Sequence, residues 1–275
     1  MRALLMQILS LAAWLVIFAA VFIPLERLFA VRPARVFRAQ WLTDLGWYFI
    51  NAIVPALVLA VPLATLASLT QRIDGLAGWY AMVAALPLWA KLPLAFLVND
   101  IGSYWAHRWS HRNAFLWRFH AVHHSAETVD WLVNTRAHPV DMVVTRFSGL
   151  LLVYLLGLAS VSGSGGGVDP MLFAVTVWGT FWSFLIHANV RWRFGPLEQL
   201  ISTPAFHHWH HSNDENRDRN FAAIFPFIDR LFGTLYLPKG FPTVYGIDGE
   251  VASSLPAQLV DPLLGPVRPK PVPTA

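Results

Sequence analysis

The 275-residue chain contains no cysteine. That excludes a disulfide framework, a thiolate zinc site, an iron–sulfur cluster and a cysteine-ligated haem. Charge is scarce as well. Asp, Glu, Lys and Arg make up 13% of the residues, against about 25% in a soluble domain. The formal charge of +4 is small, and the basic residues lie beside apolar segments. That placement reads as membrane topology, and no nucleic-acid partner is expected. No Gly-rich phosphate loop and no internal repeat is seen in the sequence, and no appended haem or flavin domain is expected. Apolar surface is what the chain has in excess: 56% hydrophobic residues, 13 of them Trp and 19 Phe. This is the composition of a membrane protein.

Apolar runs from about Leu4 to Leu25, Leu45 to Leu69 and Trp79 to Val98 approach or exceed the roughly 20 residues a spanning helix needs. Glu26-Arg27 follows the first run in place of a small-residue cleavage site, so an uncleaved helix is expected there rather than a signal peptide. Arg27, Arg32, Arg35 and Arg38 then mark a cytoplasmic segment. Pro87, Lys91 and Pro93 interrupt the third run, which implies a bent helix or a hairpin. Apolar segments from about Val140 to Leu158 and Met171 to Ile186 flank a Gly- and Ser-rich loop, Ser162 to Pro170. They read as a hairpin entering and leaving on one side. The tail after about Pro238 reads as an irregular Pro-rich extension.

Nine of the 11 histidines fall into two short segments, 107–124 and 207–211. His107 and His111 are i and i+4, which on a helix share a face. His120, His123 and His124 are i, i+3 and i+4, and His207, His210 and His211 repeat the pattern. Thr203-Pro204 just ahead of the last set is a helix-start signal. Imidazole is the commonest metal ligand among side chains. Three helical boxes supply eight candidate ligands, and His138 and His187 raise the set to ten. A tetrahedral zinc site uses four, so two metal ions are expected. Imidazole suits iron, copper, zinc and nickel alike. There is no His-Glu-x-x-His sequence for a zinc protease, and the boxes hold no Glu-x-x-His pair of the ferritin-like type. His208 lies roughly 100° from His207 around a helix and reads as a surface or supporting histidine. Glu127, Asp130 and Asp141 lie near the boxes and read equally well as imidazole-orienting groups or as solvated loop charges.

Several stretches together resemble the fatty acid hydroxylase/sterol desaturase superfamily. They are Trp105-Ala-His107-Arg-Trp-Ser-His111, Leu116-Trp117-Arg-Phe119-His120-Ala-Val-His123-His124-Ser125 and Arg136-Ala-His138-Pro139. His187-Ala-Asn189, Thr203-Pro204-Ala-Phe-His207-His208-Trp-His210-His211-Ser212 and Asp229-Arg-Leu-Phe232-Gly233-Thr234 complete the pattern. The resemblance runs from about Ala95 to Leu235. It implies a non-haem di-iron centre that uses O2 to attack an unactivated C–H bond of a lipid. The ligands it implies are His107, His111, His120, His123, His124, His207, His210 and His211, with His187 matching a further histidine of the pattern. Some fatty acid hydroxylases have a histidine where this chain has Ser183, and His138 is the candidate to replace it. No catalytic residue is expected beyond the metal ligands.

The expected fold is therefore all-α: an integral membrane helical bundle of about four to five transmembrane or hairpin helices, with a cytosolic histidine-rich helical cap. The expected division is residues 1–94 for N-terminal transmembrane helices, 95–238 for the di-iron catalytic domain and 239–275 for the tail. The expected activity is O2-dependent hydroxylation or desaturation of a fatty-acyl chain or sterol. Ether-lipid monooxygenation is the variant within the superfamily, and metal binding or transport is the reading from another class. Two iron ions, O2, a membrane lipid and an external ferredoxin or cytochrome b5-like electron donor are implied. The expected location is a bacterial inner membrane, with the histidines on the cytoplasmic face.

Overall fold

The structure is a computed structural model that describes residues 2–70, 72–159 and 170–269. Most of the described residues are helical, with almost no strand. The first apolar run forms α1 (Arg2–Phe29) and the second α2 (Trp41–Thr70). Both are long and apolar enough to cross a membrane. The third run breaks into α3 (Ala77–Ala84) and α4 (Leu88–Arg112), set at 118° to each other. Pro87 sits at the break with ψ 150°; its ring fixes φ and biases the preceding residue away from the helix.

α4 runs on into the first histidine box and is followed by α5 (Ala114–His124), α6 (Pro139–Leu155) and α7 (Pro170–His187). At 17 and 18 residues, α6 and α7 fall short of the roughly 20 residues a span needs. Beside the expected four to five transmembrane or hairpin helices, two of the described helices are of spanning length, or three if the bent α3–α4 pair is one span. Residues 162–169 of the expected loop lie outside the described residues.

α4 and α6 touch backbone to backbone through two glycines. A Cβ on Gly102 would sit 2.8 Å from Gly149 Cα, and one on Gly149 would sit 2.8 Å from Asn99 O. Small residues let helices in a membrane pack this closely. On the other side of the bundle Phe18, Phe22, Trp131, Trp182 and Phe184 form a buried aromatic cluster joining α1, α7 and the 131–135 turn.

After α8 (Pro204–His210) and α9 (Pro226–Leu231) the tail is more ordered than its composition implies. It forms β1 (Gly249–Glu250) and β2 (Arg268–Pro269), paired antiparallel, and a helix, α10 (Leu255–Leu264). Pro256 falls in the first turn of α10, where a missing N–H costs nothing. Trp47 Nε1 donates to the buried Gln258 Oε1 at 2.7 Å and fixes α10 to α2.

Candidate metal centre

The histidines converge because the ends of four helices meet. Asn113 closes α4 and caps α5, its Oδ1 accepting from Phe115 N at 3.0 Å and Leu116 N at 3.1 Å. The chain reverses there, so the His107–His111 face of α4 meets the His120–His124 face of α5. Thr203 caps α8, its hydroxyl accepting from Phe206 N at 3.3 Å, and Pro204 stands in the first turn. α7 delivers His187 as its last residue.

Nine histidines form two groups, in each of which the ring nitrogens lie within 4.8 Å of one another. One group is His107, His111, His120, His124 and His210; the other is His123, His187, His207 and His211. The two triple boxes divide in a reciprocal way. The i,i+4 pair His120/His124 enters the first group and His123 the second. The i,i+4 pair His207/His211 enters the second group and His210 the first. Neighbouring residues point about 100° apart on a helix, so each box serves both groups.

Hydrogen bonds fix the ring tautomers. His107 Nδ1 donates to Phe221 O (2.8 Å), His210 Nδ1 to Arg219 O (2.8 Å), His123 Nδ1 to Arg136 O (2.9 Å) and His187 Nδ1 to Ser183 O (2.7 Å). His111 Nδ1 meets Asp218 Oδ1 and His120 Nδ1 meets Asp141 Oδ2, both at 3.0 Å. Carbonyl and carboxylate oxygens only accept, so each of these six Nδ1 atoms carries the proton. In a neutral ring that leaves Nε2 as a bare lone pair. Yet His111 and His120 bring their Nε2 atoms to 3.1 Å, and His123 and His187 bring theirs to 3.2 Å. Two lone pairs at that distance repel and cannot share a hydrogen bond. The Nε2 of His210 is buried with no partner at all. These six bare nitrogens converge with the rings of His124, His207 and His211, an arrangement that fits a cation. Nine imidazoles fit two ions better than one four-coordinate zinc.

Burial first, and then the neighbouring imidazoles, holds His124, His207, His210 and His211 well below the usual 6.5. The same causes lower His123 to about 3. These rings are neutral at pH 7, the form that binds a metal.

The acceptors are themselves held. Asp229 accepts from Phe221 N (2.8 Å) and Ala222 N (2.9 Å), and Asp100 from Ala223, Ile224 and Phe225 N at 2.8–3.0 Å. Between the Arg219 and Phe221 carbonyls, Asn220 adopts φ 59°, a left-handed conformation that Asn tolerates. Its side chain donates to Phe206 O (2.9 Å) and Tyr236 O (2.6 Å). Asn189 accepts from Val31 N and donates to Arg32 O, tying the segment after α1 to the end of α7. Sequence reading assigns no chemistry to Asn189 or Asp229 and passes over Asp100, Asp218 and Asn220. The roles of Asn189, Asp229, Asp100 and Asn220 run through backbone groups, which spacing does not reveal, and Asp218 reaches the His111 ring from more than 100 residues away in the chain. Asp141, which sequence alone leaves undecided, orients His120.

The structure does not bring His138 to either group. Its Nδ1 accepts from Val140 N at 3.1 Å, capping α6, and its Nε2 donates to Leu259 O at 3.0 Å. Both ring nitrogens are used, so no lone pair is free. His208 also stays outside, bound to Tyr245 Oη (2.8 Å) and Ala188 O (3.0 Å). Ser183 supplies its carbonyl to His187 and its hydroxyl to Asn134.

A family model of fatty acid hydroxylases matches residues 92–234. Over 179 residues the chain is 35% identical to ornithine lipid hydroxylase OlsE of Rhizobium tropici, covering 64% of this chain and 51% of that protein. It is 35% identical over 162 residues to alkylglycerol monooxygenase of Danio rerio, covering 58% of this chain and 33% of that one. It is also 27% identical over 183 residues to very-long-chain aldehyde decarbonylase GL1-8 of Oryza sativa subsp. indica, covering 63% of this chain and 62% of that one. The chain thus spans about half the length of the first of these relatives and a third of the second. No solved structure matches it. The matched segment contains every histidine of both groups, and the chain belongs to the fatty acid hydroxylase family.

Proposed function

We propose that this chain is a di-iron membrane oxygenase that uses O2 to oxidise a C–H bond of a long-chain lipid. The observation that supports it best is the pair of histidine groups whose bare Nε2 atoms face each other at 3.1–3.2 Å. His107, His111, His120, His124 and His210 would hold one iron, and His123, His187, His207 and His211 the other. The bound irons supply the O2 activation and the C–H oxidation. The chain fixes six of the ring protons on Nδ1 and shields the groups from water by burial. Neither group contains a carboxylate or thiolate, and neutral nitrogen donors suit iron.

Three relatives are named for an ornithine lipid, an alkylglycerol and a very-long-chain aldehyde. The chemistry they share is a long hydrocarbon chain, which supports a lipid substrate and hydroxylation as the outcome, with desaturation or ether-lipid oxidation as variants. An external ferredoxin or cytochrome b5-like donor would supply electrons. The Arg27–Arg38 segment is linked to the centre: Arg38 shares Asp44 with Arg136, whose carbonyl accepts from His123. That supports a cytoplasmic face, and the Rhizobium relative supports a bacterial inner membrane. Metal transport is disfavoured: six of the nine imidazoles are pinned by their own N–H bonds, and the groups lie outside the two long spans.

The test is metal analysis and Mössbauer spectroscopy of detergent-purified protein from iron-replete cells, followed by incubation with lipid extracts, reductant and O2. About two irons per chain and an O2-dependent gain of one oxygen, or loss of two hydrogens, is the expected result. One zinc and no iron would sink the assignment.

A further inference from the structure

The segment that carries the Arg136 carbonyl, the acceptor for His123 Nδ1, is held from the second membrane helix. Asp44 and Asn51 are i and i+7 on α2, two turns apart on one face. Both are buried, as is Arg136. Asp44 Oδ1 accepts from Arg136 Nε at 2.6 Å and Oδ2 from Nη2 at 3.0 Å, a bidentate pair. The Asp44 carbonyl accepts from Thr135 Oγ1 at 2.6 Å. Asn51 Nδ2 donates to Thr135 O at 2.9 Å and to Ala137 O at 2.7 Å, the carbonyls on either side of Arg136 O. The Arg136 carbonyl is left to point at His123, 2.9 Å away. Arg38 completes the assembly, reaching Asp44 at 2.7 Å and Asp130 at 2.5 Å. A simple structural ion pair needs only the two charges. Here two α2 side chains grip the residue itself and both flanking carbonyls, which fixes the direction of one peptide group. Asp44 and Asn51 also lie outside the segment matched by the family model.

We propose that Asp44 and Asn51 are positioning residues for the four-histidine metal group, acting through the Arg136 peptide on His123. The proposal rests on the two-ion reading above. Its first consequence is selectivity. The five-histidine group takes its N–H acceptors from Phe221, Arg219, Asp218 and Asp141 and makes no use of this segment. Loosening the clamp should therefore weaken one ion and spare the other.

The test is anaerobic titration of full-length, detergent-purified protein with Co(II). Bound metal is counted after gel filtration, and the visible d–d bands and the melting temperature are followed alongside. Wild type should take up two ions per chain. Asp44→Asn and Asn51→Ala should each keep one tight ion and bind the second about 10–100-fold more weakly, the usual effect of losing an outer partner of a ligating histidine. Asp44→Asn leaves Arg38 and Arg136 without their shared carboxylate and can fail to fold; Asn51→Ala strands no charge. Variants that fold and keep two tight ions, or that lose both ions in parallel, refute the clamp. Wild type that binds one ion or none refutes the two-ion reading and the clamp with it.

Discussion

At Gly102 and Gly149, α4 and α6 approach backbone to backbone. Gly102 lies five residues before His107 on α4 and faces Ser148 and Gly149 of α6. A Cβ there would lie 2.8 Å from both Gly149 Cα and Ser148 C. Ordinary carbon contacts are about 3.5–4.0 Å, so Gly102→Ala has to open the α4–α6 interface by roughly 1 Å. The obstacle is backbone, so no side chain can swing aside. Overpacking of this kind costs about 1–3 kcal/mol, offset by at most about 1 kcal/mol of better helix propensity. The larger effect is at the centre. α4 carries His107 and His111, while α6 carries Asp141, which orients His120 at 3.0 Å. Prising the helices apart moves the α4 ligands relative to Asp141, which orients His120 in the same group, and a misplacement of roughly 1 Å can cost about 100-fold in rate. The assay is chelator competition for bound metal together with lipid turnover in nanodiscs, run on Gly102→Ala and on Gly179→Ala. A Cβ at Gly179 meets nothing within 4 Å, so that variant should match wild type. The reasoning is refuted if Gly102→Ala keeps wild-type metal affinity and turnover, or if the two variants lose them equally.

Other perturbations separate the parts of the site. Asp141→Asn should weaken metal binding to the five-histidine group about 10–100-fold and spare the other group; chelator competition reads this, and unchanged affinity contradicts the role given to Asp141. His138→Ala should keep two metal ions and lose about 1 kcal/mol of stability through the α6 cap. A fall in metal content on that substitution would return His138 to the ligand set. His208 is held near 4, chiefly by burial, against an ordinary 6.5. The unfolded chain therefore takes up the proton first as the pH falls. The His208 contribution is fully present above pH 6.5 and is lost between 6.5 and about 4, to a total of roughly 3 kcal/mol. His208→Gln should flatten that part of the stability–pH curve, and identical curves for the two proteins would refute it.

The helical spacing of the boxes was legible because it depends on which face of a helix a side chain occupies. The same rule carried further separates His123 from His124 and His210 from His211. What spacing does not reveal is which nitrogen of a ring is free. His138 sits inside a family-like stretch, yet the Val140 N–H takes its only lone pair. The two long membrane helices followed from hydropathy alone. The C-terminal end of α6 did not, since its apolar stretch runs on to Leu158 while the helix stops at Leu155. α10 was hidden because Pro256 and Pro262 interrupt its pattern, although one opens the helix and the other is tolerated within it.

Four of the six ring N–H groups donate to main-chain carbonyls, those of Phe221, Arg219, Arg136 and Ser183. No point substitution can delete a carbonyl oxygen. The proton arrangement of the centre is thus stored mostly in the path of the chain rather than in residue identity. Most outer positions can change their side chains without resetting a tautomer, provided the path holds. Drift in sequence around the histidines is therefore cheap, and damage is concentrated in the few residues that steer the backbone: Asp100, Asn220, Asp229 and the glycine pair between α4 and α6.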